Sequence, residues 1–290
     1  MDSFILEQIV NGIITGSMYA LVAAGMTMIF GVLRAINFAH GEYYMLGTFA
    51  AWWVMSHLTA EYSLAIIGGV AIVSVIAVVI GRLVMQRLVG QPFQAGVLAT
   101  LGLSLILQNV VILAFGGGYK VFSGGWIEPI EMGDFGMSQQ RVILVIVTLA
   151  VFAGLEWMVR GTRLGRSIRA VSQNIECCQV NGIDVEQVVR RTFLIGVAIA
   201  ALSGILTGPI NVSIYGGMGE SITLKTFAVI VMGGMGNVRG TLIAGCLLGV
   251  IESLVAGFIG LQYRDSVGFI VLLLMLMFRP HGLFSSKARF

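Results

Sequence analysis

Charge is scarce in this 290-residue sequence: 11% of positions are Asp, Glu, Lys or Arg, while 57% are hydrophobic. A soluble domain carries about 25% charged residues, so the chain lacks the material for a water-facing surface. Four prolines in this length argue against a disordered or linker-rich protein. There are three cysteines: Cys177 and Cys178 are adjacent and Cys246 lies in an apolar run, which excludes a disulfide framework and a paired CxxC zinc pattern. His40, His57 and His281 are far apart and no HExxH occurs, so a metal site is not expected. No GxSG nucleophile and no GxxxxGK[ST] phosphate loop are present, which leaves neither an intramembrane hydrolase nor self-contained ATP binding. Met1-Asp2-Ser3 has no basic n-region and no A-x-A-like site follows, so the start is expected to stay as a membrane helix.

What is abundant is apolar sequence and glycine. A bilayer core of ~30 Å needs about 20 mostly apolar residues per crossing. Suitable runs occur at 8–33, 43–58, 63–86, 95–115, 141–159, 192–212, 223–238, 241–260 and 266–278. The last is short and the pair around 223–260 shares a Gly-rich break, so eight or nine crossings are expected. The predicted fold is an all-α integral membrane bundle with 1–290 as one domain. With the N-terminus outside and nine crossings, Arg34, Arg82, Arg87, the six arginines from Arg160 to Arg191, Arg239, Arg279, Lys287 and Arg289 fall inside. Lys120, Arg141, Lys225 and Arg264 fall outside or at the outer border, and the 116–140 loop carries Glu128, Glu131 and Asp134. The excess of basic residues on the inner side fixes this orientation, with the C-terminus cytoplasmic.

Small residues recur every fourth position at Gly12, Gly16, Ala20 and Ala24, at Gly196, Ala200, Gly204 and Gly208, and at Thr241, Gly245, Gly249, Ser253 and Gly257. That spacing places them on one helix face, where backbones can approach closely in lipid. Either packing within the chain or a subunit interface would use such stripes.

Polar residues inside apolar runs are the candidates for function. Asn37, His40 and Glu42 lie in Ile36-Asn37-Phe38-Ala39-His40-Gly41-Glu42. At membrane depth they would line a cavity or cap a helix; the plainer reading is a cytoplasmic turn with Asn37 as cap. Glu252, halfway along its run, must be paired or protonated, for gating or for a structural bond. Gln108, Asn109 and Asn211 are weaker candidates. Gly233-Gly234-Met235-Gly236 is not GxGxxG and reads as a tight turn or helix break. In the basic inner segment 160–191, Asn174 is a natural N-cap, Glu176 sits in the first turn and Gly182 is a C-terminal stop. A short capped helix inside the cell is more than topology requires and suits a docking surface for a cytoplasmic partner.

Glu176-Cys177-Cys178-x3-Gly182 resembles the EAA-x3-G coupling loop of permease subunits of binding-protein-dependent ABC importers, with both alanines replaced by cysteine. INFAHGE at 36–42, NGIITGSMYALVAAG at 11–25, ATLGLSLILQN at 99–109, TRLGRSIRAVSQN at 162–174 and GGMGNVRGTLIAG at 233–245 are similar to LivH-type permeases of the high-affinity branched-chain amino acid importers, nearly end to end. The resemblance implies a permease in a bacterial inner membrane that pairs with a LivM-like second permease, two cytoplasmic LivG/LivF-like ATPases and an external solute-binding protein. ATP and Mg would belong to the ATPases, and no cofactor or nucleic acid to this chain. Residues 166–182 would touch the ATPases, with Arg166, Arg169, Asn174, Glu176, Cys177, Cys178 and Gly182 on the coupling segment. An ion-coupled secondary transporter using Glu42 and Glu252, and an importer of urea or short amides, are the alternatives.

Overall fold

The computed structural model describes residues 2–33, 35–132 and 135–284. Arg34, Asp134, Lys287 and Arg289, which entered the charge count, lie outside the described residues, as does the side chain of Glu131. Helix α1 runs over Asp2–Leu33, α2 over His40–His57, α3 over Tyr62–Ile80 and α4 over Phe93–Phe115; α3 continues through a π-turn at Gly81–Met85 and a 3-10 turn at Gln86–Leu88. Helices α5 (Gln139–Gly161), α6 (Arg163–Gln173) and α7 (Ile175–Val180) follow, then α8 (Val185–Asn211), α9 (Met218–Gly233), α10 (Val238–Phe258) and α11 (Arg264–Phe278). The loop between α4 and α5 adds short strands, β1 (Lys120–Val121), β2 (Pro129–Met132) and β3 (Phe135–Ser138), and β4 is Ser213–Ile214. β2 and β3 form a hairpin, while β1 pairs with β4 and ties the loop to the end of α8.

Every apolar run is helical. Among the described residues, seven helical stretches are long and apolar enough to cross a membrane: Phe4–Leu33, Tyr62–Leu88, Phe93–Phe115, Gln139–Gly161, Val185–Asn211, Val238–Phe258 and Leu261–Phe278. α2 and α9, of 18 and 16 residues, reach about 27 and 24 Å at 1.5 Å per residue. Both are mostly buried inside the bundle. The Gly-rich break lies at Gly234–Asn237, where Gly234 and Gly236 take φ of 89° and 88° and Asn237 caps α10 through the Gly240 amide at 3.1 Å.

The packing repeats itself. α1 lies on α10 as α8 lies on α3, α2 on α8 as α9 on α1, and α2 on α4 as α9 on α11. α1 and α8 pack against each other, as do α2 and α9. Gly25 faces Gly196, whereas the Ser203 hydroxyl donates to the Met18 carbonyl at 3.4 Å, so α1 and α8 run in opposite directions. The chain is thus built from two structurally related halves of opposite direction, α1–α4 and α8–α11, with α5–α7 between them, an arrangement known from other transporters.

The small-residue stripes hold this frame together. Gly12 and Gly16 meet the backbone of α10 at Gly245, Gly249 and Val250, and Thr27 and Thr241 share a hydrogen bond of 2.9 Å along the same seam. On α8, Gly196 meets α1, Gly204 meets Tyr44 on α2 and Gly208 meets Phe122. All three stripes pack within the chain. The outward residues of α3, α4, α5 and α11, among them Ile67, Leu105, Ile146 and Leu273, are exposed and apolar, as lipid-facing surface must be. Tyr62 closes the outer end: its hydroxyl donates to the Ile205 carbonyl at 2.8 Å and accepts from Gln140 at 3.0 Å, and its ring packs edge-on against Trp126.

Candidate functional site

α2 and α9 begin inside the bundle, and their N-terminal ends meet. The Gly41 amide donates to Thr223 Oγ1 at 3.0 Å, and a side chain on either Gly41 or Gly219 would strike the other helix. The chain enters α2 through a turn held from three sides. Asn37 accepts from the Ala39 amide at 3.1 Å through Oδ1 and from the His40 amide at 3.1 Å through its carbonyl. The Thr100 hydroxyl of α4 receives the Phe38 amide at 3.2 Å. His40 Nε2 lies 3.1 Å from the Val22 carbonyl, eleven residues before the end of α1. The INFAHGE segment therefore turns back to the depth of mid-α1 rather than lying at the cytoplasmic surface. The Asn37 side chain does not reach the α2 amides; Ala39 holds the N-cap position without a side-chain bond.

Asn37, His40 and Glu42 are buried here, with Asn37 Nδ2, His40 Nδ1 and Glu42 Oε2 lacking hydrogen-bond partners. Glu42 Oε1 accepts from the Ser104 hydroxyl at 2.9 Å. Glu220, one residue after Gly219, is exposed. The sequences agree at this point: Gly41-Glu42 opens α2 and Gly219-Glu220 opens α9. Gln108 is half-buried one turn along α4 from Ser104, against Gly217, while Asn109 is exposed and bonds back to the Leu105 carbonyl at 2.7 Å. Asn211 is exposed at the end of α8 and donates to the Tyr44 hydroxyl at 3.3 Å, which also accepts from Thr207 at 2.7 Å. Ser104, Gln108, Asn211, Glu220 and Ser221 thus give the α2–α4–α8–α9 region polar groups that lipid would not tolerate unpartnered.

Glu252 belongs to a separate cluster. Its carboxylate accepts from Tyr19 at 2.7 Å and pairs with Lys225 at 3.2 Å and Arg264 at 3.5 Å; Lys225 also pairs with Asp265 at 2.8 Å. This joins α1, α9, α10 and α11. Lys225, expected at the outer border, is instead buried, because α9 begins seven residues earlier inside the bundle and carries it against Glu252.

The basic segment after α5 forms two short helices, α6 and α7, separated at Asn174. Thr162 caps α6 through the Gly165 amide at 3.1 Å, and Gly165, Ile168 and Val171 face the bundle while Arg166 and Arg169 are exposed. Arg169 donates to the Val159 carbonyl at the end of α5. Asn174 Oδ1 accepts from the Cys177 amide at 2.9 Å and so caps α7. Gly182 takes φ of 76°, the left-handed conformation glycine permits at a helix stop. The cysteines divide: Cys178 turns into the core beside Ile168 and Val185, and Glu176, Cys177 and Val180 are exposed, Val180 to 88%. Only Cys177 of the pair can therefore meet another protein. A cavity of about 320 Å³ lies beside this tip, lined by Gln179, Gly182, Asp184 and Glu186 among others.

Sequence reasoning did not single out Glu220, Ser104, Thr223 or the partners of Glu252. The Gly-Glu pair common to 41–42 and 219–220 was the available signal; Ser and Thr are too common in membrane helices to stand out.

The chain matches the family described as the branched-chain amino acid transport system permease component over residues 8–278. It is 33% identical to the high-affinity branched-chain amino acid transport system permease protein BraD of Pseudomonas aeruginosa, covering 96% of this chain and 95% of that protein. It is 31% identical to the corresponding LivH of Salmonella typhimurium and 30% identical to LivH of Escherichia coli, each over 97% of this chain and 95% of the relative. With seven apolar spans, it is a multi-pass membrane protein, and it belongs to the family of permease components of branched-chain amino acid transport systems.

Proposed function

We propose that the chain forms one half of the pathway of an ABC importer for branched-chain amino acids, moved by ATPases that dock on α6 and α7. As a permease component it works with ATPases and further subunits. We assign these to a LivM-like second permease, two LivG/LivF-like cytoplasmic ATPases that hold ATP and Mg, and an external solute-binding protein, with no cofactor on this chain. The N-terminus lies outside and the C-terminus inside, on the strength of the basic residues around α6–α8.

The observation that carries the reading is the continuity of α8 from the coupling segment to the α2–α9 junction. α8 starts three residues beyond the Gly182 stop, at Val185, and Asp184 caps it through the Gln187 amide at 2.9 Å. Its 27 residues span about 40 Å and end at Asn211, on the Tyr44 hydroxyl of α2. A push on Glu176, Cys177 and Val180 as the ATPases close would pass into α8, which is held rigidly to α1 and α2 at Gly196 and Gly204. The two inverted halves then rock about the junction, opening it alternately to each side. Asn37, His40, Glu42, Gln108, Asn109 and Asn211 lie along or beside the path, whereas Glu252 braces the bundle next to it.

Reconstituting this chain with its second permease, ATPases and binding protein in liposomes tests the reading. ATP-dependent leucine uptake is expected, with both uptake and ATPase co-purification lowered by Glu176→Lys and by Gly182→Val. Uptake without ATP, or unchanged association and transport in both variants, would refute it.

A further inference from the structure

We propose that Glu42, whose carboxylate lies against Gly219, and the adjoining Glu220, both at the junction where α2 and α9 begin, form the subsite that receives the ammonium group of the transported amino acid. This rests on the reading of the chain as an amino acid permease. The two buried carboxylates of the membrane interior are treated differently. Glu252 has Lys225, Arg264 and the Tyr19 hydroxyl. Glu42, equally buried at 0% exposure, has only the Ser104 hydroxyl on Oε1; its Oε2, beside Gly219, is unpartnered. A lone carboxylate at this depth is costly unless it takes up a proton or something positive comes to it, and no cation among the described residues pairs with Glu42 or Glu220.

The same geometry excludes the opposite sign of ligand at α2. Helix N-termini attract anions through free amides, but the Ala39 amide is taken by Asn37, the Gly41 amide by Thr223 and the Glu42 amide by the Ala39 carbonyl. What is left open is acceptor capacity: Glu42 Oε2, and Glu220 on the exposed rim. A group with several N–H donors and a positive charge suits two carboxylates at one junction. The ammonium of a zwitterionic amino acid is such a group, and its apolar side chain would lie against the neighbouring apolar surface of α4. Glu42 is fixed by Ser104 and by Gly219, whose missing side chain leaves room for the carboxylate. Glu220 is set by the first turn of α9, so the distance between the two carboxylates changes if the halves rock, and the subsite would hold the ammonium in one state and release it in the other.

The test uses the full reconstituted complex with its binding protein. ATP-driven uptake of radiolabelled L-leucine and the co-purification of all subunits are measured for Glu42→Gln, Glu42→Asp and Glu220→Gln. Expected are complexes that assemble normally, uptake lowered about tenfold or more in Glu42→Gln and Glu220→Gln, consistent with loss of one charge-assisted contact at 1.4 kcal/mol per decade, and partial recovery in Glu42→Asp. Uptake within about twofold of the parent in both Gln variants overturns the proposal. Uptake that falls only in step with subunit loss also overturns it, since the carboxylates would then be pairing with a basic residue of the second permease. Should Glu42→Gln fail to assemble, Glu220→Gln on the exposed rim decides alone. Absence of leucine uptake by the unsubstituted complex refutes the branched-chain amino acid reading itself and is seen before any variant is compared.

Discussion

Replacing Lys225 by methionine isolates what the buried ion cluster contributes. The side chains are of similar length, so the change removes the charge and leaves the packing. Lys225 and Glu252 expose 10% and 0% of their side chains, and their ion pair spans 3.2 Å. Removing one partner of a buried pair costs about 3–5 kcal/mol, because the other charge stays buried. Here Glu252 keeps the Tyr19 hydroxyl at 2.7 Å and Arg264 at 3.5 Å, so the low end, about 3 kcal/mol, is expected. Asp265, which also loses Lys225, is 78% exposed and is solvated instead. Three kcal/mol corresponds to a change of about a hundredfold in the folding equilibrium. On the scale of soluble domains of 150–250 residues it lowers Tm by about 6–12 °C. The assay is thermal denaturation of the purified chain in lipid nanodiscs, followed by loss of monodisperse protein. The double variant Lys225→Met, Glu252→Leu removes both charges and should recover most of the loss. A Lys225→Met variant that melts with the parent, or a double variant no better than the single, would refute the argument that the cluster is a mutually dependent brace.

The seam between α1 and α10 should be less tolerant still. Gly249→Val brings a side chain against the backbone of Gly12 and Gly16, which cannot rotate away, so the penalty should exceed the usual overpacking range of about 1–3 kcal/mol; size-exclusion profiles should show lost monodisperse protein, and a normal profile and Tm would mean that the helices are not in backbone contact. Asn174→Ala removes the cap on the Cys177 amide and costs the α6–α7 junction about 1 kcal/mol. It should lower ATPase co-purification several-fold while leaving Tm of the bundle unchanged. A variant that docks ATPases normally would mean that α7 is ordered by its partner rather than by its own cap.

Helix positions were legible because lipid makes long apolar runs nearly unambiguous, and the nine runs and their breaks mark nine helices. Depth was not legible in the same way. The plainer reading of 36–42 is a surface turn, yet α2 begins at His40 beside Val22, because the preceding turn is drawn inward by Thr100 and Thr223, two residues remote in sequence. Likewise a lysine in the run 223–238 looks like a border charge until Glu252 and Asp265 are brought to it from α10 and α11. The capped break at Asn174 and the stop at Gly182 were readable because capping chemistry is local. The pairing of Glu42 with Ser104, and the approach of its carboxylate to Gly219, were not, since they depend on how α2 packs against α4 and α9.

The most direct check of the account uses a thiol the chain already carries. Cys177 is exposed on α7 while Cys178 is buried, so a membrane-impermeant maleimide reports which side of the membrane receives the ATPases. In inside-out vesicles stripped of peripheral proteins Cys177 should react, re-added ATPases should protect it, and Cys177→Ala should abolish the signal. Reaction at Cys177 from the outside of intact cells, or equal reactivity with and without bound ATPases, would contradict the coupling of this bundle to an ATP-driven engine through α6 and α7.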